Sequence, residues 1–186
     1  MSQLQRCDWA ATDAIFFDYH DHEWGVPKYG TTVIFEFLIL EMMQAGLSWR
    51  IVLQKREAMS QAFDRFAIEK IAAYREKKVA RLLDNAGIIR NRLKIRAMIN
   101  NAQQCLRLAE QGKDLASLVW QLSDGKPIIN HWRRQTQIPA STALSDEMSK
   151  MLKAEGFKFI GTTICYSLMQ AIGMVDDHLA ACYKRS

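Results

Sequence analysis

The sequence predicts an all-α fold. Helix-forming residues dominate it, Pro and Gly number only 3 and 9 among 186 residues, and no stretch alternates apolar and polar residues long enough for a sheet. Residues 1–30 are aromatic and turn-rich, closing on Gly25-Val26-Pro27 and Tyr29-Gly30. Thr31 or Thr32 can then cap a helix reaching about Ala45. Helices follow over about Trp49–Phe63, Ala67–Tyr74, Lys77–Asn85, Asn91–Gln111 and Leu115–Trp120, with Gly87 breaking the third from the fourth. The stretch 125–144 holds Pro127 and Pro139 and reads as an irregular excursion between two small helical lobes. Ser145 caps a helix to Glu155, Gly156 ends it, Thr162–Ile172 forms another, and Asp176 or Asp177 opens a last one to about Tyr183.

The bulk numbers narrow the class. With 49% hydrophobic and 24% charged residues, the chain has the balance of a globular domain. No apolar run approaches the roughly 20 residues that span a bilayer. The opening MSQLQRCDW lacks the apolar stretch of a secretory signal, so a cytoplasmic setting is expected and no membrane partner. A net charge of +5 suits a polyanion, although many mildly basic proteins share it. The four Cys have no disulfide-scaffold spacing and point to free thiols or metal ligands.

His178 and Cys182 stand four residues apart on the expected last helix, the spacing that gives two ligands to one tetrahedral metal. Cys7, His20 and His22 lie near the other end. Two Cys and two His would close a four-coordinate structural site. The alternative is a set of unrelated core residues, and spacing does not choose between His20 and His22.

Residues 82–95 read as helix, Gly turn, helix. Gly87 suits a tight turn, and N–H groups at the start of the second helix suit a phosphate oxygen. Arg90, Arg92, Lys94 and Arg96 surround that point with positive charge. A plain αα-hairpin with a solvated basic face is the competing reading.

The helix over residues 33–45 is apolar almost all round, so it belongs at the centre. Plotted at 100° per residue, Glu41 falls between Phe37 and Ala45 on an apolar side, while Glu36 and Gln44 lie elsewhere. A buried carboxylate is costly unless it is paired or kept for a ligand. It either meets an Arg or Lys or waits for a cation or donor from outside. Trp9, Phe16, Phe17, Tyr19, Trp24 and Trp49 lie near it in sequence and suit a flat, positively charged ring.

Four blocks also carry a resemblance: residues 19–27 (YHDHEWGVP), residues 40–49 from Leu40-Glu41 to Trp49, residues 86–90 (AGIIR) and residues 156–167 (GFKFIGTTICYS). Over nearly its whole length the chain resembles the 3-methyladenine DNA glycosylase I family of helix-hairpin-helix glycosylases. The resemblance implies a single domain over 1–186, one structural Zn2+ on Cys7, His20, His178 and Cys182, and a helix-hairpin-helix at about 82–95. It places the excised base on Glu41, Tyr19 and Trp49; with Trp9 and Phe16 beside them, Glu41 is the expected catalytic residue, acting either by reading the base or by stabilising developing sugar charge. Phe16 stands where some relatives carry Tyr, which removes one hydroxyl. The Gly46-Leu47 turn matches the wedge that enters the duplex, and Gly87, Ile88 and Arg90 match the DNA-binding turn.

The implied reaction is excision of 3-methyladenine from double-stranded DNA by a monomer, with the free base as product. Related glycosylases carry a catalytic Asp in the helix after the hairpin; residues 91–111 hold no Asp, and Glu110 is the only acid. The lack of a Lys nucleophile at the hairpin end implies an abasic product without strand cleavage. Two other classes compete with this reading. A non-enzymatic zinc-stabilised DNA-binding module leaves Glu41 and the aromatics idle, and a zinc hydrolase needs an open coordination position.

Overall fold

A computed structural model describes residues 4–185. Ten α-helices are formed among them: α1 (Asp8–Ala11), α2 (Phe17–His22), α3 (Thr31–Gln44), α4 (Trp49–Ala62), α5 (Ile68–Ala72), α6 (Glu76–Asp84), α7 (Arg92–Glu110), α8 (Leu115–Trp120), α9 (Ala143–Ala154) and α10 (Thr162–Ala171). No described helix is long and apolar enough to cross a membrane.

The central helix is α3, as its composition predicts. Ile34, Phe35 and every residue from Phe37 to Met43 are buried, and the helix touches α4, α7, α8 and α10. A helix with no polar side must be covered on all of them. The interior is one continuous apolar cluster from Cys7 to Cys182.

Side-chain caps fix several boundaries. Asn91 accepts the Lys94 N–H at 3.1 Å to start α7, and Asp114 accepts the Ser117 N–H at 2.9 Å to start α8. Helix α9 begins earlier than expected: Thr142 caps it, and Ser145 sits three residues on as the reciprocal partner. Gly30 precedes α3 without a side-chain cap, and Thr31 instead donates to Asp114 at 3.1 Å, tying α3 to α8. The first thirty residues hold two short helices, α1 and α2, that their turn-rich composition hides.

The last expected helix does not form. Val175–Asp176 is a two-residue strand, β2, pairing in parallel with β1 (Ile128–Ile129), and residues 177–185 run on as turns. The reason lies in the two acids expected to cap that helix. Asp176 accepts the His178 N–H at 3.0 Å and holds His178 Nδ1 at 2.7 Å. Asp177, wholly buried, accepts from Asn130 (2.7 Å), Trp132 Nε1 (2.6 Å), Tyr166 OH (2.6 Å) and Gln170 (2.7 Å). Tertiary donors outcompete the local cap. The same carboxylate anchors the irregular 121–142 connection to α10.

Asp177→Ala should therefore lower unfolding free energy by about 3–5 kcal/mol, because four donors lose their acceptor inside the protein. Denaturant unfolding measures it; a change below about 1 kcal/mol would show that Asp177 is not the anchor.

Candidate active site

Glu41 projects from the middle of α3 and is 5% exposed. It makes no hydrogen bond or ion pair with any described residue. The nearby cations are spent elsewhere. Arg56 is shared between Glu23 and Glu36, each at 2.7–2.8 Å, and Lys94 donates to the Met43 and Ala45 carbonyls at 2.9 and 2.6 Å. The ion-pair alternative therefore fails. Burial alone pushes the Glu41 carboxyl up to about 8, because no charge or donor offsets the lost hydration.

Around Glu41 lies a cavity of about 250 Å³ walled by Trp9, Tyr19, Trp24 and Trp49, with Gln44, Gln135, Ser167 and Gln170 supplying polar groups. A second space of about 230 Å³ meets it at Glu41, Gln44 and Ser167 and is edged by Gly46 and Leu47. Gln44, set apart from Glu41 on the helical wheel, thus joins it here. Phe16 is not on the wall: it packs edge-on against Trp9 at 5.8 Å, from behind. The Tyr19 and Trp49 rings lie 5.1 Å apart at 52°. Two rings holding a base between them need about 7 Å, twice the carbon contact distance, so these two form a corner rather than parallel plates. Two atoms of the wall, Trp49 Nε1 and Gln135 Oε1, are buried without a partner.

Beneath the aromatic wall, Cys7, His20 and Cys182 bring their ligand atoms within 4.8 Å of one another, all buried. His178 stands beside them, its ring 5.1 Å from that of His20 and its Nε2 buried with no partner. Both imidazoles are oriented by carboxylates through Nδ1, His20 by Asp21 at 2.8 Å and His178 by Asp176 at 2.7 Å. His178 Nε2 is free, whereas His20 Nε2 accepts the Cys7 N–H at 3.4 Å and lies 3.5 Å from Cys182 Sγ; two imidazoles with two thiols are a donor set that could hold a tetrahedral metal. His22, by contrast, is exposed and bonds only Asp18. His178 and Cys182 lie in the non-helical last segment rather than on one face of a helix; His178 stands outside the three residues whose ligand atoms meet within 4.8 Å and packs close on the backbone at residue 25. Gly25 allows it: with φ +73°, a Cβ there would stand 2.6 Å from His178 Cε1. Trp24 packs against both imidazoles, at 4.7 Å from His178 and 6.1 Å from His20, so the cluster backs directly onto the cavity.

Helix α6, the turn at 85–91 and α7 make the expected hairpin. Asn85 closes it by accepting the N–H groups of Gly87 (2.9 Å) and Ile88 (3.3 Å). Gly87 does not use a left-handed conformation. It is needed for space, since a Cβ would lie 3.1 Å from Asn85 Oδ1 and 3.4 Å from Ala58. Ile88 is buried in the core and offers DNA no side chain. Of the four cations, Arg90 and Arg92 are exposed, Arg96 pairs with Glu76 at 3.0 Å, and Lys94 is buried as the cap of α3. Lys55, from α4, adds charge at the turn through the Ala86 and Gly87 carbonyls. Beyond α3, Gly46 (φ +77°) projects Leu47, 39% exposed, at the mouth of the cleft.

This fold and this cavity are those of a DNA glycosylase. A crystal structure of a 3-methyladenine DNA glycosylase I matches with a TM-score of 0.95 at 48% identity, over 98% of this chain and 100% of that one. A second, in complex with 3-methyladenine, matches at 0.92 and 32%, over 97% of each chain. The DNA-3-methyladenine glycosylase 1 of Escherichia coli K12 is 46% identical over 96% of both chains. The methyladenine glycosylase family model matches residues 9–185, and the chain belongs to that family.

Sequence reasoning missed Gln135, Ser167 and Gln170. Gln135 lies in the irregular stretch, where no periodicity marks an inward side; Ser167 ends the 156–167 block with no role attached to it, and Gln170 has only its place on a predicted helix.

The Glu41 carboxyl makes a signed prediction. The folded chain keeps its proton up to about pH 8, whereas the unfolded chain releases it near 4.5. The stability it contributes is complete below 4.5 and falls by roughly 1.4 kcal/mol per pH unit towards 8. Glu41→Gln removes that loss. Paired denaturation curves of the two proteins should diverge steadily from pH 5 to 8, the variant being the more stable; parallel curves would refute the burial of an unpaired acid.

Proposed function

We propose that this chain hydrolyses the N-glycosidic bond of 3-methyladenine in alkylated double-stranded DNA, releasing the free base and leaving an abasic site with the strand intact. The observation that carries this reading is Glu41, a buried carboxylate without a partner in an aromatic cavity. The 46% identical DNA-3-methyladenine glycosylase 1 of Escherichia coli and the 3-methyladenine bound to the structural neighbour support it.

Methylation at N3 gives the damaged base a positive charge. The nucleotide must leave the stack before the bond can be reached. As it enters the cavity, Trp and Tyr faces attract the cation, and the ionised form of Glu41 becomes the favoured one. Cleavage of C1′–N9 sends the bonding electrons into the ring, so the base departs neutral and the sugar takes the positive charge. Water adds to C1′ and loses a proton. A neutral leaving group needs little acid catalysis, and Glu41 stabilises the transient sugar cation from a water-poor site.

Leu47 fills the gap in the duplex, and the exposed Arg90 and Arg92 hold the backbone at a helix-hairpin-helix turn. Cys7, His20, His178 and Cys182 hold one zinc, which a four-ligand set reserves for structure. Its contribution to the reaction is to keep Trp24 and Tyr19 in place. A DNA-binding module without catalysis would leave the energetic cost of Glu41 unexplained.

Single-turnover release of 3-methyladenine should fall about 10²- to 10³-fold in Glu41→Gln. Wild-type release and wild-type affinity for the free base in that variant would sink the assignment. Metal analysis should find one zinc per chain. Chelation or His178→Ala should lower the melting temperature and shift tryptophan fluorescence, since Trp9 and Trp24 pack on the cluster. Full activity of a stable metal-free protein would contradict the structural role.

A further inference from the structure

The 121–142 connection brings one side chain into the base cavity for which the fold gives no reason. Gln135 opens a short 3-10 turn (Gln135–Gln137) and lines the cavity with Glu41, Tyr19 and Trp49. Its Oε1 is sealed from water without a hydrogen-bond partner. A buried carbonyl in that condition is costly until something completes it. The turn beneath it is braced: Gln137 accepts the N–H groups of Arg133 and Arg134, each at 2.9 Å, and Trp132 is fixed on Asp177. Of the two other amides on the wall, Gln170 is committed, donating to Asp177 at 2.7 Å, and Gln44 stands on α3 beside Glu41.

We propose that Gln135 is a specificity-determining residue that reads the amino-bearing edge of the flipped purine, a role that rests on the base-excision reading above. The exocyclic amine of 3-methyladenine has two hydrogens, one beside each flanking ring nitrogen. Glu41, from α3, takes one of them. The Gln135 carbonyl takes the other, and its amide donates to the ring nitrogen on that flank. A carboxamide matches an amine next to a ring-nitrogen acceptor at both atoms, which is how Gln reads adenine in duplex DNA. A purine with an oxo group at that carbon meets two acceptors with a third and is rejected.

The test compares the amino base with its oxo counterparts. Wild-type protein should release 3-methyladenine from methylated DNA well ahead of 3-methylguanine, and should bind free 3-methyladenine more tightly than 3-methylhypoxanthine. Gln135→Leu, similar in size but without polar atoms, should shrink both preferences on the order of 5- to 150-fold. Gln135→Glu keeps an acceptor at the same place and should retain discrimination against the oxo bases. Equal losses for amino and oxo ligands in Gln135→Leu, or no change in their ratio, would overturn the proposal. If Gln135→Leu does not fold, loss of discrimination in Gln135→Glu would overturn it instead. Wild-type protein that releases no 3-methyladenine at all would overturn the excision reading itself.

Discussion

Four hydrogen bonds converging on the Asp177 carboxylate hold the rest of the site together. They fasten the last segment of the chain to α10 and to the 121–142 connection, which carries Gln135. The next residue, His178, has an unpartnered Nε2 and stands beside Cys7, His20 and Cys182, at the back of Trp24. Without that anchor the wall of the cavity has no fixed support on this side. The aromatic rings are thus supported by polar groups of which only Gln170, among the four donors, also lines the cavity.

Asp177 and Glu41 are both buried acids, and the contrast between them separates scaffold from chemistry. Asp177 has donors on both oxygens and nothing left to offer. Glu41 has none, and the folded protein bears the cost of keeping it dry. In the proposed reaction a cationic ring recovers that cost. Trp49 Nε1 and Gln135 Oε1 are smaller instances of the same unfinished state. A cavity with three incomplete polar groups among aromatic faces is prepared for a ligand that brings charge and hydrogen-bonding edges together.

Much of this was legible in the sequence because it depends on local patterns. The all-round apolarity of residues 33–45 identifies the central helix, and a single acid on its apolar side identifies Glu41. Helices α4 to α8 follow from periodicity, caps and Gly87. The rest depends on contacts distant in sequence. Asp176 and Asp177 look like helix caps until donors from residues 130, 132, 166 and 170 arrive. Lys94 looks like one more cation of a basic hairpin, yet it is drawn inward by carbonyls fifty residues earlier. Nor can a sequence set the angle between two rings: Tyr19 and Trp49 form a corner and not parallel plates.

Lys94 also limits how this chain can vary over evolutionary time. Its ammonium, on the first turn of α7, caps the carbonyls of Met43 and Ala45 just before Gly46-Leu47. A single inserted residue at the start of α7 would rotate Lys94 by about 100° about the helix axis and carry it away from those carbonyls. The hairpin would survive as a hairpin, but the exposed turn that follows α3 would lose its support. Insertions and deletions are therefore excluded between the hairpin and Lys94, whereas the surface of α7 beyond it is open to drift.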